Sequence, residues 1–217
     1  MRVEQIPTIE AKPWIMKRHY AHRMPCVQHA FGLYNGIMIE GIVSYGPPPT
    51  PAIKQAVFGG KMQEIVLELN RLCIESNNKN AASMLVGNSL KMLPKPSCVV
   101  SYADGSQGHI GYVYQSTNFV YTGAPIAHDY EYIIRGKKTH ARNLTAMGIS
   151  APVEYAKKHG IEMIKPKPKH RYFYFVGSKK QKKEMLKNLK YEILPYPKGE
   201  TKRYDDSAEF LKQLKLF

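Results

Sequence analysis

Apolar positions recur along the chain with two periods, and the switches between them mark its elements. Over 12–24, "KPWIMKRHYAHRM", the residues Trp14, Ile15, Tyr20 and Met24 recur at helical spacing with Pro13 suited to a first helical position, which predicts a helix. Residues 26–46 hold two β-rich runs on either side of Asn35-Gly36, the dipeptide that suits a two-residue hairpin turn with both positions at positive φ. "PPPTP" (47–51) lacks ladder donors, so a surface loop is expected from there to about 61. A strand over 64–75, a helix over 81–93 ended by Pro94 and a strand over 97–104 follow. Beyond Gly108, Ile110, Val113, Tyr114 and Thr117 fall at i, i+3, i+4 and i+7, one face of a helix. "NFVYTG", "DYEYIIRG" (129–136) and "RYFYFVG" (171–177) alternate as strands, and no repeat or low-complexity segment interrupts the order. The pattern predicts a mixed α/β (α+β) fold with a central sheet flanked by helices, one core over 1–177, and a basic helical extension over 178–217 packed on it.

Composition sharpens this picture mainly through charge. The chain has 217 residues, 43% of them hydrophobic, enough for one packed domain. No apolar run of eighteen residues and no early apolar h-region is present, so a cytoplasmic protein without a membrane span is expected. Cys26, Cys73 and Cys98 read as reduced thiols. The net charge of +15 is uneven: residues 135–217 hold 21 Lys+Arg against 8 Asp+Glu, whereas residues 1–134 hold 11 against 9. Such a surplus draws polyanions by counterion release, and double-stranded DNA is the expected partner. Lys165, Lys167, Lys169, His170 and Arg171, beside "RYFYF", and Lys179, Lys180, Lys182 and Lys183, on a helix, are its candidate contacts.

The strand–helix–strand–helix run over 64–117 places strand ends beside helix starts, where α/β folds form ligand crevices. Asp104 stands at such a strand end, equally suited to face the crevice or to cap the following helix. Arg71, on an otherwise apolar strand, needs an anion; alternation puts it on a face with Leu69 and Cys73, and the bland alternative is an ion pair with Glu68 or Glu75. Tyr114 on spacing alone is a core aromatic. His19, His22, Cys26 and His29 are all of metal-ligating type but lack a four-ligand pattern, so no metal is assigned.

Tyr114-Gln-Ser-Thr-Asn118-Phe119 followed by Gly123 is similar to the tyrosine, spacer, glycine-phenylalanine pattern of the GNAT acyltransferase superfamily. More narrowly, "RHYAH" (18–22), "ELNRL" (68–72), "SYAD" (101–104), "YQSTNF" (114–119) and "KHRYFYF" (169–175) together resemble the Mom family of bacteriophage DNA-modification proteins. The resemblance implies a GNAT-like fold and an enzyme converting adenine in duplex phage DNA to the N6-carbamoylmethyl form, which blocks restriction. On that basis Arg71 binds the donor's carboxylate or phosphate, and Tyr114 is a general acid toward the leaving group. Asp104 joins the catalytic set, His19 is base or orienter, and Tyr20 stacks on the adenine. Where the superfamily has a glycine-rich phosphate loop, this chain has Ser76-Asn-Asn-Lys-Asn-Ala-Ala-Ser83. The small-molecule donor therefore stays open, acetyl-CoA or a related acyl or aminoacyl donor, with Asn78, Lys79, Asn80, Ser83 and Ser101 as its contacts. Two other readings stand beside this one: an N-acetyltransferase acting on a small-molecule or protein amine, and a non-enzymatic nucleic-acid-binding protein.

Overall fold

The computed structural model describes residues 1–76, 78–125 and 130–199. The expected extension beyond 199, and the first residue of the strand expected over 129–136, lie outside the described residues. Among the described residues ten strands form in chain order: β1 Arg2–Gln5, β2 His29–Asn35, β3 Met38–Gly46, β4 Val66–Ile74, β5 Ser97–Asp104, β6 Val120–Tyr121, β7 Glu131–Ile134, β8 Lys137–His140, β9 Glu162–Ile164 and β10 Lys169–Val176. The α-helices are α1 Thr8–Pro13, α2 Pro51–Phe58, α3 Ala81–Met92, α4 Tyr112–Ser116, α5 Ala141–Ala146, α6 Pro152–Lys158 and α7 Lys179–Asn188. The fold class is mixed α/β, as the periodicities predict.

The chain divides into two compact units. Among the described residues the first comprises Met1–Tyr102, Gly111–Gly123 and 171–199; the second comprises Ala103–Ile110 and Ala124–His170. In the first unit the sheet order is β1-β2-β3-β4-β5-β10-β6, antiparallel from β1 to β4 and parallel between β4 and β5. One core lies under α1, where Trp14 and Ile15 pack with Ala30, Ile42 and Cys73. Another lies under α2 and α7, where Val57, Phe58, Val66, Cys98, Phe173 and Met185 meet. The helix carrying Lys179 to Lys183 is thus tied into the first unit by Met185 and is capped at Ser178 through a capping box. The second unit has its own small core of Tyr132, Leu144 and Ala156 beneath the sheet β8-β7-β9.

Four expectations are corrected. The first helix does not run over 12–24; it starts at Thr8, with Pro13 inside it rather than at its start. Pro13 cannot donate, and the next turn widens into a π-helical segment, Trp14–Arg18, closed by the His19 N–H on the Trp14 carbonyl at 3.1 Å. His19, Tyr20 and His22 therefore leave the helix. In the hairpin, Asn35 stays on the ladder opposite Met38, so the loop residues are Gly36, at φ +59°, and Ile37, not Asn35 and Gly36. The stretch after "PPPTP" is a helix, α2: Pro51 sits in its first turn and Gly59, left-handed at φ +62°, ends it. The helix after Gly108 shortens to Tyr112–Ser116, because Gly111 is left-handed at φ +89° and excludes Ile110.

Candidate active site

The crevice in the first unit follows from how β4 is built. Opposite β3, Arg71 faces Ser44 and Leu69 faces Tyr45, so Asn70 has no counterpart and forms a β-bulge. The extra residue resets the alternation. Arg71 no longer shares a face with Leu69; it shares one with Glu68, which lies opposite Gly46. Parallel pairing of β4 with β5 runs from Val66–Cys98 to Glu68–Val100.

A strap, residues 19–28, is bound to the bulge. The Asn70 side chain accepts from the Ser44 hydroxyl at 2.7 Å and donates to the Cys26 carbonyl at 3.1 Å. Arg71 Nη2 donates to the Arg23 carbonyl at 2.8 Å, and the Gln28 N–H donates to Tyr45 at 2.8 Å. Gly46 is required at this crossing, because a Cβ there would collide with the Cys26 carbonyl. The strap carries His19 and Tyr20. His19 is buried, accepts the Ala21 N–H on Nδ1 at 3.1 Å and stacks on Tyr20 with ring centroids 4.3 Å apart; Tyr20 is 51% exposed. That bond leaves Nε2 as the protonated nitrogen of a neutral His19.

Arg71 is half-buried. Its Nη1 donates to its neighbour's carbonyl, Asn70 O, while the buried Nε has no hydrogen-bond partner. Burial lowers its pKa, as does Arg23, while Tyr20 and Glu68 act in the opposite sense. Of the two bland partners, Glu75 pairs with Arg18, while Glu68 acts on Arg71 electrostatically. A buried, partly satisfied guanidinium of this kind is a site for an anionic or carbonyl group.

Tyr114 is buried, its ring against Phe119 and Tyr172 at centroid distances of 5.2 and 5.3 Å. Its hydroxyl pairs with that of Ser101. Burial pushes its pKa up to about 12, and the nearby Tyr20 and Glu68 act in the same direction. It therefore holds its proton throughout the neutral range. The same side chain is a core aromatic with a protonated hydroxyl. Asn118 is left-handed at φ +62°, as its place after a short helix suggests.

Arg71, Tyr114, Ser101 and Tyr20 thus come together in the first unit, with His19 supporting Tyr20. Ser101 is fully buried and donates to the Leu69 carbonyl at 3.3 Å, so it links β5 to β4 and to Tyr114 rather than facing open space. Asp104 belongs to the second unit, where it accepts the Ser106 N–H at 2.9 Å and pairs with Lys169 at 3.3 Å. Of the two readings left open for it, the cap is the one its contacts match. Glu68 is the residue that sequence reasoning left out of the site. Simple alternation puts it on the face opposite Arg71, and only the bulge at Asn70 unites them.

In the loop expected to contact the donor, three backbone amides are already engaged. Its amides at 78, 80 and 81 are engaged by Ser76 Oγ, Asn78 Oδ1 and the Asn78 carbonyl, and Ser83 Oγ donates to the Asn80 carbonyl. Lys79 is exposed. A groove of about 420 Å³ opens alongside, between α3 and the end of α4, lined in part by Asn80, Ser83, Gly87, Thr117 and Tyr174. Its volume is that of a small-molecule site.

Of the basic candidates, Lys165, Lys167 and Lys169 are exposed and His170 half-buried in the second unit, whereas Arg171 in the first is committed to structure. Arg171 donates to Thr122 Oγ1 at 3.0 Å and to the Thr122 carbonyl at 3.1 Å, and covers the Tyr191 ring at 3.7 Å. Lys179, Lys180, Lys182 and Lys183 are all exposed on α7. Among the described residues no three His, Cys, Asp or Glu side chains are placed to hold a metal; the helical face expected for His19 and His22 ended with the helix. No helix among them is long and apolar enough to cross a membrane.

A half-buried arginine and a buried, protonated tyrosine on a mixed sheet, in a unit that also carries a groove between α3 and α4, are groups that suit a group-transfer enzyme. The chain belongs to the Mom protein family, whose model matches residues 1–198. It is 26% identical over 208 residues to the methylcarbamoylase mom of Escherichia phage Mu, covering 91% of this chain and 84% of that protein. Among solved structures it is similar to an N-acetyltransferase from Staphylococcus aureus Mu50, at 12% identity and a TM-score of 0.47 over 81% of this chain and 98% of the other. It is also similar to the GNAT-like decarboxylase GphF in complex with isobutyryl-CoA, at 10% identity and a TM-score of 0.38 over 81% of this chain and 100% of the other.

Proposed function

We propose that the chain modifies DNA, transferring a group to the N6 amine of adenine in duplex DNA to give N6-carbamoylmethyladenine and so protecting phage DNA from restriction. The observation that carries this reading is the convergence of Arg71, Glu68, Tyr20 and Tyr114 on one crevice in a member of the Mom family. The base must leave the duplex to react, and Tyr20, half-exposed and backed by His19, offers the stacking surface for it. His19, with Nδ1 occupied, acts as orienter rather than base.

Arg71 holds the donor's carbonyl or carboxylate. As the adenine N6 forms its bond to the donor carbon and the carbon–leaving-group bond breaks, the departing atom takes the Tyr114 proton and the N6 proton passes to Glu68. The donor is a small molecule in the groove beside α3. The engaged amides of the 76–83 loop weigh against coenzyme A held in the usual way. Lys165, Lys167 and Lys169 in one unit and the α7 lysines in the other supply backbone contacts.

Mass spectrometry of nucleosides from DNA of cells expressing the protein tests the reading. A deoxyadenosine carrying the carbamoylmethyl increment is the expected product. Unmodified deoxyadenosine with acetyl transfer to a free amine selects the N-acetyltransferase instead.

A further inference from the structure

We propose that the tip of the β7–β8 hairpin inserts into a groove of the DNA duplex, with Arg135 at its apex and Lys137 and Lys138 toward the two walls. The inference rests on duplex DNA being the substrate. It adds a contact site in a segment that neither the motifs nor the basic runs at 165–171 and 179–183 include.

The hairpin is short and well anchored. Tyr132 is buried in the second unit's core and pairs with Thr139, and Ile134 lies opposite Lys137, leaving Arg135 and Gly136 as a two-residue loop. Both loop residues have positive φ, +51° and +73°, the conformation in which Asn-Gly or Gly-Gly normally sits. An arginine at the first position is a side chain in a backbone state that L residues rarely adopt, and such outliers cluster where a side chain must be presented. All four residues from Arg135 to Lys138 are exposed.

Lysines on an edge strand also guard against strand pairing, which accounts for Lys137 and Lys138 alone but not for the arginine at the apex. Consecutive strand residues point to opposite faces. Lys137 and Lys138 therefore put one cation on each side of the ribbon, with the third at its tip. A ribbon lying flat on a polyanion needs its cations on one face. A ribbon inside a groove meets phosphates on both walls, and the major groove of DNA admits a two-stranded ribbon. Among the described residues Arg135 and Lys137 have no acidic partner, and Lys138 lies 3.9 Å from Glu131 in an exposed pair that competes weakly with phosphate.

The test is duplex binding by the full chain, followed by fluorescence anisotropy across a salt series. Replacing Lys137 and Lys138 together by Gln should make the log–log salt slope shallower by about 1.8 and weaken binding roughly 30-fold at 0.15 M salt, if counterion release supplies the contact energy. Arg135→Asn keeps a residue suited to the loop, so its melting temperature should be equal or higher while its affinity falls at least about fivefold. That variant decides the matter even if the double lysine variant folds poorly. Parent-like affinity and slope in Arg135→Asn, with the parent binding duplex well, would overturn the hairpin contact and leave DNA modification standing. A parent chain that binds no duplex at any salt overturns both.

Discussion

Replacing Tyr114 by phenylalanine separates the two jobs its position combines. The ring contacts with Phe119 and Tyr172 survive the change, and Ser101, though it loses the phenol, still donates to the Leu69 carbonyl. Nothing is left orphaned, so the loss is one buried hydrogen bond, about 1 kcal/mol. For a chain of this size that lowers the melting temperature by roughly 2–4 °C. The chemical cost is of another order. In the proposed reaction Tyr114, its pKa pushed up to about 12, gives its proton to the leaving group, and removing a general acid costs about 10²-fold or more in rate. The assay is modified deoxyadenosine per unit of soluble protein, beside a thermal melt of the same preparation. Full modification by Tyr114→Phe would remove this hydroxyl from the mechanism and return Tyr114 to the core. A melting point lowered by ten degrees or more would show that the hydroxyl's main work is structural.

Three further outcomes are expected. Gly111→Ala should lower stability by about 2–4 kcal/mol, because the residue is left-handed at φ +89° and a Cβ there would penetrate the Tyr172 ring; denaturant titration measures it, and a parent-like midpoint refutes the packing. Neutralising Lys179, Lys180, Lys182 and Lys183 to Gln should make the salt slope of DNA binding shallower by about 3.6 units if all four touch phosphate, without changing which sites are modified; an unchanged slope and affinity would make α7 a solvated face. Stability should fall as pH rises from about 10 toward 12. Tyr102 and Tyr114 have pKa values raised by burial, so their protonated forms are favoured in the native state, and that stabilisation, complete below the unfolded value, drains as the medium approaches the folded one. For the buried Tyr114 the slope is about 1.4 kcal/mol per pH unit in that window, and a flat stability profile between pH 9 and 12 would contradict its burial.

Local chemistry was enough to determine much of this protein. The strand at 97–104 coincides with β5, and Pro94 closes the helix before it, because a proline and a run of apolar residues act on their own neighbourhood. The basic bias of the C-terminal part is a property of composition. The chemistry-bearing types, Arg71 in an apolar strand and Tyr114 beside a glycine-broken turn, were visible for the same reason. Other features were decided only by the tertiary structure. Glu68 joins Arg71 because β4 gains one residue against β3 at Asn70, and a register with a partner strand leaves no mark in the period of either strand. Asp104 pairs with Lys169 and Arg171 caps Thr122, contacts between residues far apart in sequence that turn two candidate site groups into structural ones. The division into two units likewise depends on which apolar side chains find each other: Tyr132, Leu144 and Ala156 are ordinary core residues in sequence, and only their mutual burial makes a second core. Periodicity reports how one segment presents its faces, whereas a site is made where several segments present theirs to the same point.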